Sequence, residues 1–404
     1  MNLQAANQQP DAAPIVMWEL TRACRLNCVH CPIGAQQKRS PLELSTYEAY
    51  KTIDQIVALR PDEFILTGGD LLERADLFQL IDYSRRRGLK PTVTATVTNG
   101  LTGAVVGKFK HNGADRIAIA LDGAIPDHHD MARGISGQFG STLLALRWAR
   151  TAEIGIEVNT LLSRRNADDL PRLAELLGDI GVERWNIYVT VPIGHSKQVE
   201  MLTGEEVEKA FGVLFELSQR TPFPIRTFEA PQSRRFVLEQ TAKARQESLE
   251  RYFDSHVEQM VVRESNVMRA AAGDDLVFIS HTGEVSASAL LPLTAGNVRY
   301  QPLGVVYRTA EMFAAMRDTS NLKGKCLRCE FRNICGGSRA RSFAMTGDLF
   351  ATDPLCAYQP GAFVPTASTI ARVVWRLRAK VSRLRTILAA RSDSLRIVSR
   401  PRLV

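Results

Sequence analysis

Long apolar runs are missing from this chain. Nowhere do its 404 residues approach the roughly 20 consecutive apolar residues that a membrane-spanning helix needs. The opening stretch, MNLQAANQQPDAAP, has neither the basic n-region nor the apolar h-region of an export signal. The expectation is a cytoplasmic protein with a disordered segment over 1–13. Cysteine is absent from Pro32 to Lys325. The seven cysteines instead form two groups, Cys24, Cys28 and Cys31, then Cys326, Cys329, Cys335 and Cys356. In a reducing compartment such grouping favours metal binding over disulfides. Acidic residues nearly vanish beyond 364. Residues 365–404 hold ten Lys/Arg against one acid, Asp393, a charge of +9 that leaves −1 for the remainder of a chain whose total is +8. The body is near neutral, the basic balance belongs to the tail, and no recognition motif supports a specific nucleic-acid partner.

What remains is ordinary for a globular protein able to bury a large core, with 45% apolar and 23% charged residues. From residue 14 to about 192, runs of strand and helix character alternate. Strand-like runs at 15–20, 63–66, 91–97, 116–121, 156–162 and 184–191 are separated by helical spacing at 45–59, 72–87, 140–151 and 168–180. Six βα-type repeats argue a parallel sheet with right-handed crossovers, hence an α/β fold. Six units match a partial barrel better than a closed eightfold one. Residues 201–273 read as a charged helical connector, and Arg226, Arg234 and Arg235, which flank Glu229 there, read as a solvated helix face in preference to a carboxylate clamp. Residues 274–362 read as a small α+β domain opening on a hairpin. In the tail, 363–404, residues Ile370, Val373, Val374, Leu377, Val381, Leu384 and Leu388 have helical spacing with arginines between them. That is a basic amphipathic helix suited to an anionic membrane surface, a partner, or its own barrel.

In parallel α/β folds, ligands bind at the carboxyl ends of the strands. The first cysteine group, in TRACRLNCVHCP at 21–32, follows the first strand. Three thiolates cannot saturate a four-iron cube, which takes four ligands, so one iron would stay open for chemistry; soft sulfur donors suit zinc as well. Gly68, Gly69 and Asp70 follow the second strand, where glycine lets backbone approach a ligand closely. Asn99, Asp122 and Asn159 fall at later strand ends, as turn formers or as ligand contacts. Arg133 lies in HDMARGISGQF, either as a surface arginine or suited to gripping a carboxylate bidentately. The second group, C-x2-C-x5-C-x20-C followed at Cys335 by Gly-Gly-Ser-Arg-Ala-Arg, closes its metal site completely, as an electron-transfer cluster or a structural zinc.

The C-x3-C-x2-C triplet resembles that of the radical S-adenosylmethionine (radical SAM) superfamily, and the later segment resembles the SPASM/Twitch extensions of those enzymes, most closely in the alternative-heme and heme d1 maturation branch. Together the resemblance covers roughly 14–200 and 274–360. It implies a partial (β/α)6 radical SAM barrel with a small C-terminal α+β auxiliary-cluster domain. Cys24, Cys28 and Cys31 would hold a [4Fe–4S] cluster whose open iron chelates SAM, and Cys326, Cys329, Cys335 and Cys356 would hold a second, auxiliary [4Fe–4S] cluster. A full SPASM extension has seven cysteines; this one has four and supports one auxiliary cluster. Gly68, Gly69 and Asp70 correspond to the element that binds the amino group of SAM, Asp70 standing for a glutamate. Asn99, Asp122 and Asn159 would meet the ribose or carboxylate of SAM, and Arg133 a carboxylate. His128, His129, His195 and His281 are candidates for substrate or axial-iron contact. The implied activity is oxidative modification through a 5′-deoxyadenosyl radical, of a tetrapyrrole propionate or alternatively of a peptide or other natural product, with flavodoxin or ferredoxin as electron donor. A non-catalytic zinc scaffold is the reading from a different class.

Overall fold

The computed structural model describes residues 14–26, 28–196, 201–262 and 276–364; the N-terminal segment 1–13 and the basic tail from 365 lie outside the described residues. Among the described residues no helix is long and apolar enough to cross a membrane. The chain runs β1 (Ile15–Thr21), α1 (Thr46–Leu59), β2 (Glu63–Gly68), α2 (Leu77–Arg86), β3 (Pro91–Ala95), α3 (Gly103–His111), β4 (Arg116–Ala120), α4 (Pro126–Arg133), α5 (Gln138–Thr151), β5 (Gly155–Leu162), α6 (Leu170–Ile180), β6 (Arg184–Val189), α7 (Gly204–Ser218) and β7 (Ile225–Phe228). Strands β1 to β7 are parallel and lie side by side in chain order. Helix starts follow local chemistry. Ser45 with Glu48 and Thr203 with Glu206 form capping boxes on α1 and α7, and Gly181 in the left-handed region stops α6. The helix expected over 72–87 is split: a 3-10 turn, Leu71–Glu73, precedes α2, because the Asp70 side chain caps that turn.

One face of the sheet is apolar throughout. Val16, Trp18, Leu20, Phe64, Leu66, Val93, Ile117, Ile119, Val158, Trp185 and Ile187 alternate along their strands and pack in one core with the helices. The opposite face carries an apolar patch, Ile15, Met17, Ile65, Leu276 and Phe278, and a stacked Tyr188–Phe228 pair across β6 and β7, with charged and amide side chains between them. This inner face shows how far the sheet curls. Glu63, at the start of β2, contacts Arg184 at the start of β6 (3.2 Å) and Arg226 on β7 (2.7 Å). Those strands stand four and five places away in sheet order, roughly 19 Å or more if the sheet were flat. The contact therefore requires a partial barrel. Arg184 also pairs with Glu157 (2.9 Å), and Arg116 with Glu183 (3.0 Å). These charges lie toward the amino ends of their strands and form an ionic floor to the lumen.

Three further features differ from the sequence expectation. Strand β7 lies inside the stretch read as a helical connector; four residues between two helices are too few to set a period of their own. The arginines there are not a solvated face. Arg226 serves the floor, Arg235 is buried between Glu208 and Glu239 (2.6 Å to the latter) and stacks over Tyr358, and Arg234 donates to the Ile334 carbonyl (2.9 Å). The C-terminal hairpin, β8 (Leu276–Ile279) and β9 (Glu284–Ser286), joins the main sheet: β8 runs parallel to β1, and β10 (Gly296–Asn297) follows β9 at the edge. Beyond it, α8 (Gln232–Ala244) and α9 (Leu249–Val262) share a small second core with the late cysteine segment, through Leu238, Tyr252, Phe253, Phe331 and Ile334. The remaining helices are α10 (Leu303–Thr309), α11 (Glu311–Arg317), α12 (Gly324–Arg328) and α13 (Arg339–Thr346).

Candidate active site

The loop that carries the first three cysteines is anchored at both ends and in the middle. At its start, Cys24 N–H donates to the Gln36 carbonyl (2.8 Å) and Gln36 N–H to that of Arg22 (2.9 Å). Each cysteine then meets a different strand end. Beside Cys24 runs Gly68-Gly69-Asp70: Gly69 N–H donates to the Thr21 carbonyl (2.8 Å) and Asp70 N–H to that of Ala23 (2.7 Å). A Cβ on Gly68, whose φ is 145°, would sit 2.3 Å from Thr21 O, and one on Gly69 2.3 Å from Ala23 O. The glycines are there because two backbones touch. Beside Cys28 stands Arg133, with Nη1 3.9 Å from the sulfur and Nη2 2.6 Å from Asp122. Beside Cys31, whose carbonyl accepts from His195 N–H (3.0 Å), lies the loop after β6. Replacing Gly69 with alanine is expected to cost about 1–3 kcal/mol by overpacking and to loosen the Cys24 end of the loop, read as a lower unfolding midpoint and lower iron retention after anaerobic reconstitution.

The polar candidates divide by what already occupies them. Asp70 is buried; its carboxylate accepts from Thr98 Oγ1 (2.8 Å) and Leu72 N–H (3.0 Å). Burial pushes its pKa up, against the pull of those two hydrogen bonds. Asp70 thus holds the turn beneath the glycines, while the Gly69 carbonyl accepts from Thr96 Oγ1 (2.6 Å). Asp122 is engaged on both oxygens, by charge on Oδ2 and by a hydrogen bond on Oδ1. Besides Arg133 it accepts from Leu161 N–H (2.8 Å), and His30 Nε2 lies 3.6 Å away. Burial would raise its pKa, but the Arg133 charge, then His30 and His129, hold it below the usual carboxylate range. The pair makes Arg133 a strut between the end of β4 and the cysteine loop. Asn159 accepts from Asn186 Nδ2 (2.9 Å), and Asn99 lies in an exposed turn beyond β3.

The histidines are mostly committed elsewhere. His129 is buried and accepts the Asp122 N–H at Nδ1 (3.1 Å), so its proton sits on Nε2, facing Thr142 (3.1 Å). Burial brings its pKa down to about 4, which removes it as a proton donor near neutrality. His281 bonds Glu19 (2.6 Å). His128 bonds Asp169 and faces a cavity of about 400 Å³ lined also by Val29, His30, Asp122, Asn166 and Thr190. This cavity joins the cysteine loop to the carboxyl ends of β4, β5 and β6, and it is where a ligand would meet the loop. The His128–Asp169 pair had no signal in the sequence, since its members lie on separate segments.

The second group gathers fully: Cys326, Cys329, Cys335 and Cys356 line one cavity of about 340 Å³ with Gln232, Lys325 and Tyr358. Burial pushes Cys24 up to about 11 and Cys329 up to about 12, and raises Cys335 and Cys356. Buried thiols this reluctant to ionise need a bound cation before they become thiolates. A group of four soft donors around a cavity fits an iron–sulfur cluster or a zinc site in its chemistry; among the described residues no three His, Cys, Asp or Glu side chains are placed to hold a single ion. The run after Cys335 fastens this segment to the barrel. Arg341, wholly buried, forms a bidentate pair with Asp353 (2.7 and 2.9 Å) and donates to the carbonyl of Glu229 at the end of β7 (2.8 Å). Ser338 donates to the Glu229 carboxylate (2.5 Å).

Fold and site define an enzyme class. The description "Radical SAM superfamily" matches residues 18–187, and the chain belongs to that superfamily, whose members carry a [4Fe–4S] cluster and use SAM. Within it, the chain is 33% identical over 352 residues to the AdoMet-dependent heme synthase of Methanosarcina barkeri (strain Fusaro / DSM 804), covering 87% of this chain and 98% of that one. It is 28% identical over 384 residues to the pre-heme d1 synthase of Dinoroseobacter shibae, covering 90% of each. These relatives fall in the alternative-heme branch. In structure it is similar to Streptococcus suis SuiB bound to S-adenosylmethionine, with a TM-score of 0.64 and 12% identity over 86% of this chain and 78% of that one, a likeness of fold.

Proposed function

We propose that this enzyme oxidatively decarboxylates propionate side chains of an iron tetrapyrrole of the coproporphyrin type, leaving vinyl groups. What carries the reading is the similarity to a protein named a heme synthase over 98% of that protein's length, joined to a second thiol-lined cavity next to the segment that follows β7. Cys24, Cys28 and Cys31 would hold the cluster at which SAM would supply a 5′-deoxyadenosyl radical, and Cys326, Cys329, Cys335 and Cys356 would hold a one-electron acceptor. The stoichiometry needs both. A propionate that loses a hydrogen atom, then carbon dioxide and one electron, becomes a vinyl group, and the electron has to be taken up.

The chain's own residues divide the remaining work. Gly68 and Gly69 let backbone carbonyls reach the ammonium of SAM, and Asp70 fixes their turn. Arg133, held by Asp122, positions the Cys28 segment and presents positive charge for the SAM carboxylate. Asn99 and Asn159 supply amides for ribose hydroxyls. The ionic floor spans the opposite end of the lumen. A small one-electron donor protein, flavodoxin or ferredoxin, supplies the reducing electron.

The test is anaerobic reconstitution followed by titration with iron-coproporphyrin III. About eight irons with sulfide per chain, as two four-iron clusters require, a Soret shift at micromolar substrate, and loss of carbon dioxide coupled to 5′-deoxyadenosine release are expected. Deoxyadenosine release with no Soret shift up to high micromolar porphyrin would overturn the substrate and favour the peptide or natural-product alternative. Two zincs without SAM cleavage would overturn the chemistry.

A further inference from the structure

Arg339 is a buried cation without a matching acid. It is 5% exposed and forms no ion pair among the described residues. Its Nη1 donates to the carbonyls of Leu349 and Ala351 (2.9 Å each), and Nε to that of Gly337 (3.2 Å). Asp353, which acts on it through space, is already engaged by Arg341, Gln232 and two backbone N–H groups. The remaining nitrogen, Nη2, is buried with no hydrogen-bond partner. Neutral carbonyls solvate a guanidinium only in part, and a buried charge left uncompensated is strongly unfavourable.

The position of that nitrogen is informative. Gly337 has φ 72°, and a Cβ there would lie 2.6 Å from Nη2. Gly337, Cys326 and Cys335 line the same cavity, and the guanidinium lies against the Cys326 thiol. A side chain at 337 would force the guanidinium or the Asp353 side chain to shift. The Gly-Gly-Ser-Arg run therefore keeps a guanidinium folded under the loop and beside the cavity wall. Four thiolates around a metal centre carry the net negative charge that this cation lacks.

We propose that Arg339 is a positioning residue for the four-cysteine centre: it donates a charge-assisted hydrogen bond from Nη2 to the Cys326 side of an auxiliary [4Fe–4S] cluster and raises that cluster's reduction potential by stabilising the more negative, reduced form. This rests on the cluster assignment made above. Arginine stays protonated at any working pH, so the effect is permanent rather than titrating. Its consequence is directional: a higher potential makes the second centre a better electron acceptor.

The experiment uses the full chain carrying C24A, C28A and C31A, so that only the second centre can be loaded, with R339Q and R339K compared under EPR-monitored redox titration. In R339Q the reduced-to-oxidised ratio at a fixed potential is expected to fall about tenfold, which for one electron is about 59 mV, while R339K, keeping the charge, recovers most of it. Equal midpoints in all three proteins would overturn the role of Arg339. Assembly in R339K but not in R339Q would support it, as charge compensation needed for loading. If neither variant loads, the parent protein labelled with 15N-arginine decides: hyperfine coupling of an arginine nitrogen to the reduced cluster supports the contact, and its absence rejects it. A parent that binds zinc, or no iron, refutes the cluster assignment instead, and metal analysis separates that failure from the others.

Discussion

Replacing Cys28 with alanine is expected to reduce 5′-deoxyadenosine release to background while the four-cysteine centre keeps its irons. Under the proposed assignment the loss should exceed the roughly 10–100-fold that removing a group behind a metal ligand costs, because the change would delete a ligand itself. Cys28 is the informative choice among the three. Its neighbours Arg133 and Asp122 form a strut that persists without it, so the fold should survive: the unfolding midpoint of the iron-free protein should match that of the parent. Iron should fall by about four per chain, the content of one cube. A variant that still releases deoxyadenosine at the parental rate would show that the loop is not where SAM is cleaved.

The largest effect on stability is expected at Arg341. Arg341 and Asp353 are both completely buried, and replacing Arg341 with methionine strands the carboxylate in the interior. Breaking such a pair costs about 3–5 kcal/mol, read as a shift of the urea midpoint of anaerobically prepared protein. The pH dependence follows from Asp353. Burial by itself would raise its pKa, but the Arg341 charge and hydrogen bonds hold it below 3.8. In the parent, this contribution is fully present above about pH 4 and is lost only as pH falls through the depressed value. In R341M the carboxyl loses its strongest lowering influence, so its pKa climbs and burial of the neutral acid becomes possible. The penalty should therefore be greater at pH 7 than at pH 5. A double variant with asparagine at 353, which removes the stranded charge but keeps an acceptor for Gln232 and the backbone N–H groups of Ser338 and Leu355, should regain part of the loss.

Much of the barrel was legible because each of its signals is local. Strand runs ended at Gly-Gly, Asn-Gly or Asp-Gly turns, and those turns put Gly68, Asn99 and Asp122 at the carboxyl ends where the cysteine loop also sits. The roles of individual side chains were less legible. Asp70 reads as a free carboxylate, yet Thr98 and Leu72 hold it inward, and Thr98 lies on the loop beyond the next strand. Arg341 and Arg339 look alike in the run after Cys335, but one meets Asp353 and the other does not, a distinction made by folding of 347–355 back over the segment. Arg235 reads as a surface charge because its partners Glu208 and Glu239 lie a helix away and one turn along. Contacts between distant segments, not local pattern, decide these cases. Strand β8 is the extreme instance: its partner is the first strand of the chain.

That pairing bears on how the protein is made. The cysteine loop leaves β1, which the ribosome delivers first, but one flank of β1 is completed only by β8, and the Glu19 carboxylate near the loop waits for His281, 262 residues later. Until then β1 presents an open edge, a site of mispairing in a nascent chain. A chain stopped short of residue 276 therefore leaves the ribosome with its cysteine loop tethered to an unsealed sheet.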